Sequence, residues 1–248
     1  MQTALLTPDP RGPFTVWRQP LEGRSYVVGA DTASGTADED YSAAVVIDQV
    51  SGAQMATWRG KCEPHDFGHI VFAIMLYFKG KDDQAFVVPE INNHGIAVLD
   101  CLKEVGAHRI YTRQTWDQAQ MKWKSQLGWQ TSVKTRPMLI GRGRTALQEQ
   151  SARIFDPVLI DEMAKFVMVF DKDMRFQRED HVPGGHDDVL FAWMMAQEGR
   201  VVLVDRGEGG VPEEAEEKPN PKQWVWDKLN EQVAAVEGNG EVSWMEDW

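Results

Sequence analysis

The segment between residues 25 and 59 constrains the fold most strongly, because it holds three apolar runs separated by short turns. These runs cover residues 25–30, 42–48 and 53–59, and Ser51 and Gly52 supply a turn between the last two. They are rich in valine and other residues that favour extended backbone, and strands joined by tight turns pair antiparallel. We therefore expect an antiparallel meander of three strands near the start of the fold.

Helical and strand-like segments alternate in the rest of the chain. Helices are predicted at residues 65–78, from about Gly95 onward, and at residues 145–155, 159–166 and 188–198. Short strands are predicted at residues 85–89, 109–111 and 166–170 and around Phe176. This order predicts an α/β fold with a mixed sheet, in which an antiparallel meander is followed by parallel strands and the sheet is flanked by helices.

Three segments that carry carboxylates lie at the end of an apolar run or at the start of a helix. Asp31 follows the first predicted strand, Glu90 follows the run 85–89, and Asp187 and Asp188 precede the last predicted helix. Each residue alone is explained by a turn or a helix cap. Together they predict an oxygen-lined pocket, and such ligands select hard cations such as Mg²⁺ or Mn²⁺. Two such ions would support hydrolysis of a phosphodiester.

The distribution of charge leaves room for a nucleic-acid partner, although the chain carries a net charge of −12. The 44 residues from Asp205 onward contain 12 acidic and 4 basic side chains. From Arg109 to Arg144, in contrast, the sequence contains eight basic residues and only one acidic residue, Asp117. Three tryptophans are interleaved with the basic residues. This pattern is typical of a surface that follows a phosphate backbone, and a solvated charged face is the alternative. The candidate DNA-binding residues are Lys122, Lys124, Lys134, Arg136, Arg142 and Arg144.

Composition and missing motifs exclude several other classes of protein. No stretch is long and apolar enough for a membrane span, and the N-terminus has no signal-peptide core. Two cysteines give neither a disulfide framework nor a zinc spacing, which favours a reduced, intracellular setting. The sequence also contains no phosphate-binding loop of the Gly-x-x-x-x-Gly-Lys-Ser/Thr type, so we expect no ATPase motor in this chain.

Taken in order, the motifs resemble the C-terminal nuclease domain of the large terminase subunit of tailed bacteriophages, which has an RNase H-like, resolvase-like fold. The resemblance covers roughly residues 26–199. It rests on an ordered set of segments. The first two are Val-Val-Gly-Ala-Asp31, followed by Asp40-Tyr-Ser-Ala-Ala-Val-Val46, and Pro89-Glu90-Ile-Asn-Asn-His-Gly95, followed by Ile110-Tyr111. The others are Leu127-Gly-Trp-Gln-Thr-Ser132 with Thr135-Arg-Pro137, and Gly185-His-Asp-Asp-Val-Leu-Phe-Ala192.

The resemblance implies a metal-dependent endonuclease that cuts double-stranded, concatemeric viral DNA during genome packaging, with two divalent metal ions, Mg²⁺ or Mn²⁺. It places the three acidic motifs of the family on Asp31, Glu90 and the pair Asp187 and Asp188, with Asp187 preferred as the principal ligand of the pair. It further implies three partners, namely the terminase ATPase domain, the portal protein and the small terminase subunit. A virus-encoded protein of this kind is expected in the host cell cytoplasm, without contact to a membrane.

Three regions are expected on this interpretation. Residues 1–24 form a linker or arm that would lead from an absent motor domain, residues 25–204 form the nuclease domain, and residues 205–248 form an acidic tail that contains tryptophan. The tail is interpreted either as a disordered solubilising end or as a docking peptide. Two other functions are open, a cellular RNase H-like nuclease or Holliday-junction resolvase, and a DNA-binding or assembly module whose carboxylates are only structural.

Overall fold

A computed structural model of the chain describes residues 9, 11–34, 41–117, 121–170, 172 and 176–205. The acidic tail beyond residue 205 and the start of the predicted arm lie outside these ranges. Within them the chain forms one central sheet, two separate hairpins and five helices. In the same ranges no helix has the length and apolar character needed to cross a membrane.

The central sheet has five strands and mixed pairing, as the sequence predicted. Its strands, in chain order, are β1 Phe14–Val16, β2 Tyr26–Asp31, β3 Ser42–Asp48, β4 Gln54–Gly60 and β5 Phe86–Pro89, and their spatial order is β1-β4-β3-β2-β5. β2, β3 and β4 form the expected antiparallel meander, whereas β5 pairs with β2 in parallel. The predicted fold class is therefore confirmed.

Helices cover both faces of this sheet, which explains why its central strands are apolar at successive positions. The helices are α1 Pro64–Tyr77, α2 Gly95–Glu104, α3 Arg136–Gln148, α4 Pro157–Lys165 and α5 Asp188–Asp205. Val28 and Val46 pack in one core with residues of α1 and α2. Val27 and Val45 pack in a second core with residues of α3, α4 and α5. Alternate strand residues thus enter opposite cores, as in sheets that are buried on both faces.

Two hairpins and the helix α3 depart from the predicted pattern. The hairpins are β6 Thr112–Asp117 with β7 Lys122–Leu127, and β8 Phe166–Phe170 with β9 Phe176–His181. For the second hairpin the two strands were predicted but not their pairing. The strands β6 and β7 were not predicted, because they lack an apolar face and are joined mainly by polar pairs and by the contact of Trp116 with Trp123. α3 begins at Arg136 rather than at residue 145, since packing against α5 overrides the low helix propensity of its two glycines. The segment 109–111 forms only a single bridge to β5, through Ile110.

Part of the segment that was predicted as an arm joins the central sheet. β1 pairs antiparallel with β4, and Phe14 lies opposite Trp58. The phenol of Tyr26 also accepts a hydrogen bond from the backbone N–H of Leu21, at 2.7 Å. Residues 14–21 therefore contact the core through both backbone and side chains, and the division of the chain into arm, nuclease domain and tail stays a prediction.

Candidate active site

The carboxylates singled out in the sequence line one cavity at the edge of the central sheet. The cavity has a volume of about 450 Å³ and is bordered by the ends of β2 and β5 and the start of α5. Asp31, Glu90, Asp187 and Asp188 all belong to its lining. Residues more than 150 positions apart in sequence are thus brought together, as expected from their places at strand ends and at a helix start.

Parallel pairing of β2 with β5 explains why Asp31 and Glu90 meet. Ala30 lies opposite Pro89, and the backbone N–H of Glu90 donates to the carbonyl of Ala30 at 2.8 Å. The next residue of each strand therefore emerges at the same edge of the sheet. The two side chains are also hydrogen bonded to each other.

The close approach of α5 to β2 brings Asp187 and Asp188 to the same place. A Cβ atom at Gly29 would lie 1.9 Å from the carbonyl oxygen of Ala192, so only glycine allows this contact. Ala192 follows Asp188 by one helical turn, and Gly29 precedes Asp31 by two residues. The glycine contact therefore sets how near the start of α5 comes to Asp31.

The concentration of negative charge is strongest at Asp31. Burial raises the pKa of the Asp31 carboxyl well above its usual range, and the charge and hydrogen bond of Glu90 raise this pKa further. The charges of Asp188 and then Asp187 act in the same direction. Buried carboxylates repel one another unless a cation or a proton compensates them. A donor set of this kind fits hard divalent cations, which take carboxylate oxygens as ligands.

Two arginines that the sequence did not connect with the carboxylates hold the acidic pair at α5. Arg136 donates to Asp187 at 3.2 Å and to Asp180 of β9 at 3.4 Å. Arg59 lies 3.6 Å from the carboxylate of Asp188 and stacks on the ring of Tyr41 at the same distance. Arg136 was expected to contact DNA, and its position indicates that it also orients Asp187.

Asp187 and Asp188 differ in burial and in the residues that surround them. Asp188 is the more deeply buried and acts more strongly on Asp31. Asp187 faces Arg136, and with Asp180 and His181 it forms a group whose ligand atoms lie within 4.8 Å of one another. Asp180 and His181 were not found in the sequence analysis, because no pattern in their hairpin shows that it folds back onto the start of α5.

Two further residues position the acidic side chains. Asn92 donates to the Glu90 carboxylate at 3.1 Å and to the carbonyl of Thr131 at 2.8 Å. This amide fixes Glu90 against the loop before α3, and its only signal in the sequence is its place within the Pro89–Gly95 motif. The hydroxyls of Thr32 and Thr131 are buried at the cavity and have no hydrogen-bond partner among the described residues. Such groups are available to a ligand or to water.

Glu162 of α4 caps the helix that carries the acidic pair. Its carboxylate accepts a hydrogen bond from the backbone N–H of Leu190 at 2.8 Å, in the first turn of α5. Only 3% of Glu162 is exposed. Burial raises the pKa of Glu162 from 4.5 to about 7, against the opposing effect of the Leu190 hydrogen bond, and the charge of Asp188 adds to the rise.

This shift predicts that stability depends less on pH in the Glu162→Gln variant than in the wild type. The folded chain binds a proton at Glu162 more tightly than the unfolded chain does, so the free energy of unfolding falls as pH rises from 4.5 to about 7. Glutamine keeps the acceptor for Leu190 but cannot ionise. Urea unfolding in a chelator at several pH values should show a smaller fall for the variant across this window. If the free energy of unfolding falls equally with pH in both proteins, Glu162 does not have a raised pKa in the folded chain.

The basic residues predicted to contact DNA lie in two different environments. Lys122 and Lys124 lie on the exposed strand β7, and Lys134 is exposed just before α3. Arg142 pairs with Glu198 at 2.7 Å, and Arg144 pairs with Glu179. The arginines of α3 therefore also join this helix to α5 and β9, and the contact of any of these residues with DNA stays a prediction.

Comparison with known proteins gives matches at the level of structure. No protein-family model matches the chain, and no curated protein matches it. The large terminase nuclease from thermophilic phage G20c, solved with bound cobalt, matches at a TM-score of 0.60 and 19% identity, over 78% of this chain and 91% of that chain. The structure of that nuclease with bound magnesium has the same TM-score and identity. The large terminase nuclease domain of Thermus phage P74-26 matches at a TM-score of 0.56 and 19% identity, over 77% and 88% of the two chains. The described chain therefore has the RNase H-like fold of phage large terminase nuclease domains.

Proposed function

We propose that the chain is a metal-dependent endonuclease that cuts double-stranded DNA. The observation that carries this proposal is that Asp31, Glu90, Asp187 and Asp188 line one cavity, where burial and the charges of the other three raise the pKa of Asp31. The similarity in fold to nucleases solved with cobalt, magnesium and zinc supports it.

The carboxylates would hold two divalent cations, Mg²⁺ or Mn²⁺. Such ions activate a water molecule and stabilise the leaving oxygen of a phosphodiester. Asp31 and Glu90 lie at the centre of the donor set, and Asp188, which acts more strongly on Asp31 than Asp187 does, is the stronger candidate to share an ion with them. Asp187, with Asp180 and His181 beside it, would bind an ion on the more exposed side of the site. Arg59 and Arg136 hold this pair in place before an ion binds.

By its resemblance to terminase nucleases, we propose concatemeric viral DNA as the substrate, cut during genome packaging in the host cytoplasm. The proposed partners are a terminase ATPase domain, the portal protein and the small terminase subunit. Supercoiled plasmid incubated with Mg²⁺ or Mn²⁺ should be nicked and linearised, and EDTA should stop the reaction. Preference for an RNA–DNA hybrid or a four-way junction over duplex DNA would instead indicate an RNase H or a resolvase.

We further propose that the exposed lysines of β7 contact the DNA backbone. Lys122 and Lys124 share one face of β7, because alternate residues of a strand point the same way, and both side chains are exposed to a phosphate backbone. Replacing both lysines with alanine should lower the slope of log binding constant against log salt concentration by about 2, since each phosphate contact contributes roughly 0.9.

The Arg142→Ala, Arg144→Ala double variant is the comparison for this experiment. Both arginines pair with carboxylates that are largely buried, whereas Lys122 and Lys124 lie on an exposed strand, so we expect the arginine variant to reduce the salt slope by less than the lysine variant does. Fluorescence anisotropy of a labelled duplex at increasing salt concentration measures both slopes. If the slope does not change in the lysine variant, Lys122 and Lys124 of β7 do not contact the DNA backbone.

A further inference from the structure

A second group of potential metal ligands lies between α1 and α2 and has no part in the carboxylate cavity. His65 and His69 are one turn apart on α1, and Cys101 lies on α2. Their nitrogen and sulfur atoms all lie within 4.8 Å of one another. Both imidazoles are exposed, whereas Cys101 is buried beneath them. The arrangement is a shallow site with sulfur at its base and two nitrogens at its rim.

The packing of the two helices explains how the cysteine reaches the histidines. Positions i and i+4 share one face of a helix, so His65 and His69 point the same way. Gly68 lies beside them on α1, and a Cβ atom there would be 2.8 Å from the sulfur of Cys101. The glycine therefore allows α2 to approach closely enough for its thiol to lie under the imidazoles.

Glu104 of α2 lies outside this group of three but is the candidate for a fourth donor. Its carboxylate lies 3.5 Å from Nε2 of His65, and Glu104 follows Cys101 by three residues. In tetrahedral zinc sites with nitrogen, oxygen and sulfur ligands, neighbouring donor atoms are about 3.3–3.6 Å apart. The pair of His65 and Glu104 already has this separation, and the other donors would reach it through changes in the side-chain torsions of the exposed residues His65, His69 and Glu104.

We propose that His65, His69, Cys101 and Glu104 form a binding site for a single Zn²⁺ ion. Thiolate and imidazole ligands favour zinc over the hard cations that suit the carboxylate cavity. Because four protein donors complete a tetrahedral shell, the site is structural and leaves no open position for catalysis. The ion would join α1 to α2, the helix that follows the Glu90 segment.

Cobalt is a suitable probe, because Co²⁺ replaces Zn²⁺ and gives absorption bands that report thiolate coordination. Titration of the reduced full-length chain with Co²⁺ should produce a sulfur-to-cobalt charge-transfer band that saturates at one equivalent and disappears when Zn²⁺ is added. The Cys101→Ser variant should lose this band. The His65→Ala, His69→Ala double variant should bind Co²⁺ more weakly by over tenfold, since even outer-shell partners of a metal contribute about 10–100-fold.

Two control variants test whether the absorption band arises from this site rather than from the other cysteine or the carboxylate cavity. Cys62→Ser removes the other cysteine and should leave the band unchanged, and Asp31→Asn, which disables the carboxylate cavity, should also leave it unchanged. Zinc should raise the thermal unfolding midpoint of the wild-type chain more than that of the double histidine variant, whose exposed substitutions do not disturb the core. Absence of a charge-transfer band in the wild type, or its persistence in Cys101→Ser, would overturn the proposal.

Discussion

The Asp31→Asn variant is expected to lose metal-dependent DNA cleavage by at least about a thousandfold, or about 4 kcal/mol of transition-state stabilisation. Asp31 is the residue on which the charges of Glu90, Asp188 and Asp187 all act, so its carboxylate lies at the centre of the donor set. An amide at this position offers a neutral oxygen and cannot compensate a divalent charge. Initial rates of plasmid nicking in saturating Mg²⁺ or Mn²⁺ measure the effect, and Glu90→Gln should give a loss of similar size.

Stability distinguishes this loss of activity from a loss of fold. Because the pKa of Asp31 is raised in the folded chain, ionisation at neutral pH opposes folding when no metal is bound. The Asp31→Asn variant should therefore be at least as stable as the wild type in EDTA, and should gain less stability when Mg²⁺ is added.

A matched substitution at an exposed acidic residue controls for the change in net charge. Asp161 lies on α4 and its side chain is 59% exposed, so Asp161→Asn should leave cleavage unchanged. Undiminished cutting by the Asp31→Asn variant would contradict the proposed function. Reduced stability of that variant in EDTA would show instead that the Asp31 carboxylate supports the fold.

The parts of the fold that were predictable are those in which local preference and burial agree. β2 and β3 contain several valines, which favour extended backbone, and are buried on both faces, so local preference and the sheet environment agree. The places of Asp31 and Glu90 followed from the same reasoning, because a polar residue that ends a buried strand stands out from its surroundings. Their gathering at one edge required only that β2 and β5 pair in parallel.

The parts that were not predictable depend on contacts between distant segments. Arg59 lies near the end of a strand, and Glu162 lies on an amphipathic helix, so the sequence predicts that both side chains are on the surface. Their partners are Asp188 and the backbone N–H of Leu190, which come near only after α5 packs on the sheet. The hairpin of β6 and β7 was missed for a related reason, since it has no buried face to impose a periodic pattern.

The Gly29→Ala variant is expected to destabilise the fold by about 3 kcal/mol, because its new methyl group would meet backbone rather than a movable side chain. The added carbon would lie 1.9 Å from the carbonyl oxygen of Ala192 and 2.6 Å from the backbone nitrogen of Ala196. These atoms belong to the hydrogen-bonded backbone of α5, so relief requires the helix to move away from β2. Urea unfolding in EDTA measures the loss of stability.

Such a movement would also separate Asp188 from Asp31, which links this packing contact to catalysis. We therefore expect the fraction of Gly29→Ala that remains folded to bind Mg²⁺ more weakly and to cut plasmid more slowly than the wild type. The control is Gly141→Ala on α3, where an added Cβ meets no atom within 4 Å. That change should raise stability by about 0.5–1 kcal/mol through helix propensity and leave cleavage unaffected. Equal stability of the Gly29→Ala variant and the wild type would show that α5 can shift without cost. If the Gly29→Ala variant also cleaves at the wild-type rate, the contact of α5 with Gly29 does not determine the geometry of the acidic pair.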